Sequence, residues 1–197
     1  VVTGLMADID ANGTTSTANA LAGTLQVTTN ANGAANTIAI ATGTNNTTVA
    51  GGDSNDTINI DAEEMADGKT LTLSGAAAIT VTNDMADVAS TATGTLTVTL
   101  DDDNTASIST TVSSTGSSNA TVNTGSFDTD DTLVLAGGNT INVNVDASTN
   151  VTTGASSANV DVNNGQTATI NAGAMSDNNV LTLTNVSGEV GNAVVTG

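Results

Sequence analysis

Twenty carboxylates face one cation, Lys69, and it is the carboxylates whose spacing could do chemistry. They gather as Asp53 with Asp56, as Asp101, Asp102 and Asp103, and as Asp128 with Asp130 and Asp131. Acids this close repel one another unless water screens them, protons neutralise them or a hard cation bridges them, and the cation that oxygen ligands of this kind suit is Ca²⁺. These eight aspartates are therefore the candidate metal ligands, and Ca²⁺ is the candidate cofactor. The competing reading of each cluster is a solvated turn in which Asx side chains bond their own backbone without metal. Paired carboxylates can also cleave glycosidic bonds, but a sugar must be gripped, and the chain offers only Phe127 and Lys69 for that purpose.

The residue types that are missing narrow the function further. The sequence has no His, Cys, Arg, Trp, Tyr or Pro. A nucleophile activated by a nitrogen base cannot be assembled from what remains, so the chain reads as a protein that is not an enzyme. A formal charge of −19 argues against nucleic acid and anionic lipid as partners, because both require basic patches. No run approaches the roughly 18 apolar residues of a membrane span, and no charged-then-apolar leader opens the chain, which reads as a soluble segment, mature or excised. Without cysteine, stability must come from strand ladders, packing and metal ions. With a single Lys and no Arg, the chain gives trypsin-like proteases one target, a composition that suits an extracellular or cell-surface setting.

One motif ties the acids to a known pattern. Gly51-Gly52-Asp53-Ser54-Asn55-Asp56-Thr57-Ile58-Asn59 follows the calcium nonapeptide G-G-x-G-x-D-x-U-x, with Ser54 where the pattern has a third glycine. A loose echo stands at Asp128-Thr129-Asp130-Asp131-Thr132-Leu133. Here the sequence resembles RTX-type and related repeat-rich bacterial exoproteins, a class that includes giant adhesins and alphaproteobacterial surface-layer proteins. The resemblance implies an elongated β architecture with Ca²⁺ held between successive turns.

The elements that would carry these acids are short strands. Val, Ile, Leu or Ala alternates with Thr, Asn or Ser in TLQVT (24–28), TIAIAT (37–42), TINI (57–60), TLTL (70–73), ITVT (79–82) and TLTVTL (95–100). The pattern continues in ASIS (106–109), TV (121–122), TLVL (132–135), INVNV (141–145), ANVDV (158–162), ATI (168–170) and LTLT (181–184). Period two sends one set of side chains to a core and the other to solvent, so Leu71, Ile79, Leu96, Val98, Leu133 and Ile141 are expected inside and Thr72, Thr80, Thr97 and Asn142 outside. Asn-Gly and Gly-Gly pairs between strands supply the corners. One short helical turn is expected at DAEEMADGK (61–69), where acids lead and Lys69 follows.

Asp67–Thr82 returns loosely as Asp130–Val143, with a third copy from Asn179. The chain is read as one elongated segment of imperfect repeats, approximately 1–78, 79–140 and 141–197. Two all-β architectures fit: a β-solenoid with one long core, which a core of small and β-branched residues favours, or a row of small β-sandwiches. Thr-x-Thr units raise an ice-binding alternative, against which stands a strand spacing that wanders from about 8 to 17 residues. Asn-x-Thr/Ser sequons, at Asn12 and Asn119 among others, are what a chain this rich in Asn and Thr generates by chance. Val1-Val2-Thr3-Gly4 recurs as Val194-Val195-Thr196-Gly197 where strands of the repeat are expected. The functional expectation is a structural protein of an extracellular filament, surface layer or sheath whose partners are copies of itself joined head to tail. The alternative is a calcium-stiffened adhesin stalk.

Overall fold

The computed structural model describes residues 1–5, 8–10, 23–83, 85–101, 107–116, 120–127, 129–185 and 190–197. Among these the chain forms strands and turns and no helix. The strands are β1 (Val2–Leu5), β2 (Ile9–Asp10), β3 (Leu25–Thr29), β4 (Thr37–Ala41), β5 (Thr47–Gly51), β6 (Thr57–Asp61), β7 (Thr70–Gly75), β8 (Ala78–Asn83), β9 (Asp87–Ser90) and β10 (Leu96–Leu100). They continue as β11 (Ser109–Ser114), β12 (Ala120–Asn123), β13 (Thr132–Gly137), β14 (Ile141–Val145), β15 (Thr149–Thr152), β16 (Ala158–Val162), β17 (Thr167–Asn171), β18 (Leu181–Thr184) and β19 (Asn192–Thr196).

Odd-numbered strands make one parallel sheet and even-numbered strands the other, each in chain order. Each odd strand turns a corner into an even strand, and the next corner returns the chain one step along the axis. The all-β solenoid is thus the architecture the chain adopts, and the alternative of tandem sandwiches is not. Parallel neighbours lie about 4.8 Å apart, so the ten strands of the odd sheet span about 43 Å.

The core follows from period two. In β10, Leu96, Val98 and Leu100 point inward, and Leu96 and Val98 lie over Ile79 and Val81 of β8 in strict register. Leu71, Ile79, Leu96, Val98, Leu133 and Ile141 are all buried. Thr72 and Thr80 are exposed, while Thr97 and Asn142 on the same outer faces are half-buried. The two sheets differ inside. From β4 to β16 the inner face of the even sheet is aliphatic, whereas the odd sheet mixes inward Thr47, Ser90, Thr110, Ser114 and Thr149 with its aliphatic residues.

That mixture hides four strands from a reading of aliphatic alternation, because β5, β9, β11 and β15 each carry a single large apolar residue: Val49, Val88, Val112 and Val151. The strand expected at 106–109 begins instead at Ser109 and runs to Ser114, with residue 106 outside the described set. The expected helical turn at 61–69 is two successive tight turns, closed by Met65 N–H to the Ala62 carbonyl (3.0 Å) and Lys69 N–H to the Ala66 carbonyl (3.1 Å). Met65 is drawn fully into the core, and Ala66 N–H is engaged by the Thr44 carbonyl of the preceding coil (3.3 Å), so the local charge order that favours a helix is overridden.

Strand spacing along the sequence does wander, yet register does not. Val81 sits beside Val98, 17 residues on, and Ile170 beside Val195, 25 residues on. The corners absorb the difference. Where corners stack, only glycine fits: Gly75 has φ +93° and a Cβ there would lie 2.0 Å from the Gly51 carbonyl oxygen, and Gly137 has φ +106° with the Ser114 carbonyl oxygen at 2.1 Å. Gly75→Ala and Gly137→Ala should each cost about 2–4 kcal/mol, because the strain and the clash add. Gly138→Ala, with ordinary φ and nothing within 4 Å of the new methyl, should fall within about 0.5 kcal/mol of wild type in urea unfolding.

Candidate functional site

The candidate aspartates fall on two opposite edges of the solenoid. Asp53 and Asp56 occupy the corner from β5 to β6, on the edge where odd strands hand over to even ones. Asp101 follows β10, and Asp130 and Asp131 precede β13, on the other edge. Asp102, Asp103 and Asp128 lie outside the described residues. The structure brings Asp101 next to the corner after β12, since Ser126 Oγ donates to Asp101 Oδ1 (2.5 Å). It does not bring Asp53 and Asp56 to that edge.

In the Gly51–Asp56 corner the carboxylates bond backbone of the preceding coil. Gly33 N–H donates to Asp53 Oδ2, and Asn55 N–H to Asp53 Oδ1 (3.0 Å), an Asx turn. Asp56 is only 1% exposed; its Oδ1 accepts from Asn36 N–H (3.0 Å) and Asn36 Nδ2 (2.8 Å). Its Oδ2 is buried and has no hydrogen-bond partner. Gly52 lets the corners close up, as a Cβ there would stand 2.6 Å from the Thr29 carbonyl oxygen.

Asp131, fully buried, accepts Ile108 N–H (3.1 Å) from the coil before it. Two aspartates that sequence reasoning passed over do the same work from coil to coil: Asp8 accepts Ala39 N–H (2.8 Å) and Asp87 accepts Thr111 N–H (2.7 Å). The signal that could have found them is position, for each of Asp8, Asp56, Asp87 and Asp131 stands one or two residues ahead of an inward aliphatic side chain. A side-chain oxygen that accepts a backbone N–H satisfies a donor the strand pairing leaves open, so these residues carry the ladder on at the strand ends.

The outer face of the even sheet carries the polar ranks. Thr80, Thr97, Thr121, Asn142, Asn159 and Thr182 form one straight rank, and Thr82, Thr99, Asn123, Asn144, Asp161 and Thr184 the next. Asn side chains hydrogen-bond along them, Asn144 Nδ2 to Asn123 Oδ1 (2.7 Å) and Asn159 Nδ2 to Asn142 Oδ1 (2.8 Å). The strict register that the uneven sequence spacing argued against is therefore present. A groove of about 710 Å³ crosses the start of this face, lined by Asp8, Asn59, Asp61, Thr80 and Thr82 among others.

These features define a parallel two-sheet β-solenoid with carboxylate-pinned corners. No family model matches the chain, and neither a curated protein nor a solved structure was found to match it.

Asp56 should be the most sensitive of the described acids. Asp56→Ala strips the acceptor from the part-buried Asn36 N–H and from Asn36 Nδ2, leaves a hole where a buried carboxylate stood, and should cost about 2–4 kcal/mol. Asp53→Ala, at a more open position, should lower the thermal midpoint by much less in a parallel melt.

Proposed function

We propose that this chain is a structural element of an extracellular filament, surface layer or sheath, one that lengthens by adding coils end to end and has no catalytic role. The observation that carries the reading is the state of the C-terminal coil. Leu183 lies over the buried Val160 and Val195 over the buried Ile170, so both belong to the core column, yet they are 42% and 45% exposed. Val194, on the outer face, is 54% exposed. An apolar cross-section with two open strand edges accepts a further coil by ladder pairing and burial.

A second copy of this chain suits that edge. β1 and β19 are the two edge strands of the same sheet and share Val-Val-Thr-Gly, and the phase also agrees. Val2 pairs with the inward Val27, and Val195 pairs with the inward Ile170. Further coils of a longer chain would dock on the edge by the same geometry. Contacts of this head-to-tail kind propagate without closing. The resemblance to repeat-rich bacterial exoproteins fits this reading, and the net charge of −19 would keep such fibres apart sideways.

Calcium stiffening of a stalk is the second reading, and the buried, unpartnered Asp56 Oδ2 favours it. Asp53, Asp101, Asp130 and Asp131 are the other described acids it would draw on. The aligned threonines keep ice binding in view, but one rank changes from Thr to Asn at β12 and the other at β14, and the filament reading does not depend on them.

Elongation is tested by sedimentation and electron microscopy over a range of concentrations, with and without Ca²⁺. Wild type should form long assemblies, and Leu183→Lys with Val195→Lys should give folded monomers. A wild type that stays monomeric at high concentration with Ca²⁺ present, or fibres from the double variant, would overturn the proposal. Calcium is tested separately by melting. Ca²⁺ should raise the midpoint of wild type by mass action and that of Asp56→Asn less, whereas equal midpoints in Ca²⁺ and EGTA would rule out native-state binding.

A further inference from the structure

The corner from β3 to β4 holds an Asn-Gly pair whose neighbours are arranged for chemistry on the backbone itself. Asn32 Oδ1 accepts Ala34 N–H (2.9 Å), which folds the carboxamide back over the Gly33 peptide. Gly33 N–H points at a carboxylate, Asp53 Oδ2 of the next coil (2.5 Å). Both Asn32 and Gly33 are exposed to water. The geometry points to Asn32 as a site of self-catalysed deamidation, with Asp53 as the general base.

The step balances without any outside oxidant or reductant. Gly33 nitrogen attacks Asn32 Cγ as its proton passes to the Asp53 carboxylate, which lies within the reach a general base requires. Ala34 N–H stabilises the negative charge that gathers on Oδ1, as an oxyanion donor does. The bond from Cγ to the side-chain nitrogen then breaks, and ammonia leaves with the proton that Asp53 held. Water opens the resulting cyclic imide at one carbonyl or the other and gives aspartate or isoaspartate at position 32.

A second Asn-Gly pair supplies the internal control. At Asn164-Gly165, Gly165 N–H donates to the Val190 carbonyl (3.0 Å), and Asn164 Oδ1 accepts Val190 N–H (3.3 Å). The side-chain oxygen is held by a donor there too, but the acceptor on the glycine nitrogen is a neutral carbonyl that cannot take up a proton. Both glycines have positive φ, +76° at Gly33 and +78° at Gly165, so the glycine φ does not separate the two sites. The carboxylate does.

The experiment ages the whole chain at neutral pH and follows positions 32 and 164 by tandem mass spectrometry that distinguishes aspartate from isoaspartate. Deamidation should run about tenfold faster at Asn32 than at Asn164, and Asp53→Asn, which keeps an acceptor oxygen but no base, should slow Asn32 by about the same factor and leave Asn164 unchanged. If Asn164 keeps pace, or if Asp53→Asn leaves Asn32 unchanged or speeds it up, Asp53 only rigidifies the turn and the proposal is wrong. Wild type aged in urea covers the case of a variant that does not fold. Unfolding separates Asp53 from Gly33 and should bring the two rates together, and a rate ratio that instead rises on unfolding overturns the assignment.

Discussion

The structure depends on one constraint, that each strand residue of a coil sits beside the residue in the same position of the next coil, about 4.8 Å along the axis. Parallel pairing in register makes the core a set of columns, so an aliphatic residue is buried by its counterparts above and below as much as by the opposite sheet. The same stacking leaves no room for a side chain where corner backbones touch, as at Gly75 and Gly137. It also places like polar groups in line. Asn can meet that condition because a carboxamide both donates and accepts, which is why the chain of contacts from Asn123 to Asn144 is attractive, whereas a column of aspartates would repel.

The carboxylates answer to the same constraint. Asp8, Asp56, Asp87 and Asp131 each stand at a strand entrance and take a backbone N–H from a neighbouring coil, and so are kept apart from one another. With one cation in the chain, these acids are held by backbone donors instead of by ion pairs. The corners do the rest of the work, and bulky residues fill them where the turn is wide: Met65 and Phe127 are both fully buried there.

Much of this was legible in the sequence. INVNV at 141–145 and ANVDV at 158–162 alternate so cleanly that strand, face and bounds all follow, and the want of aromatic bulk pointed to a narrow core. The strands of the odd sheet were harder, because Thr47, Ser90, Thr110 and Thr149 face inward and break the aliphatic alternation that marks a strand. The turn character of Gly51–Asp56 was evident from residue types. Its partners were not, since the bonds from Asp53 to Gly33 and from Asp56 to Asn36 each span 20 residues, a distance set by coil length, and coil length varies from corner to corner.

The direction of the ladder bonds has a mechanical consequence. In a solenoid they run along the long axis, so a pull between its ends loads them lengthwise and few at a time, with no row of strands to share the force in shear. Coils would peel singly from an end, and a coil of 17 to 25 residues releases roughly 55–85 Å of chain at about 3.3–3.4 Å per residue. Such a body is stiff against bending yet yields in steps under tension, and reforms by laying each coil back on the template of the one beneath it.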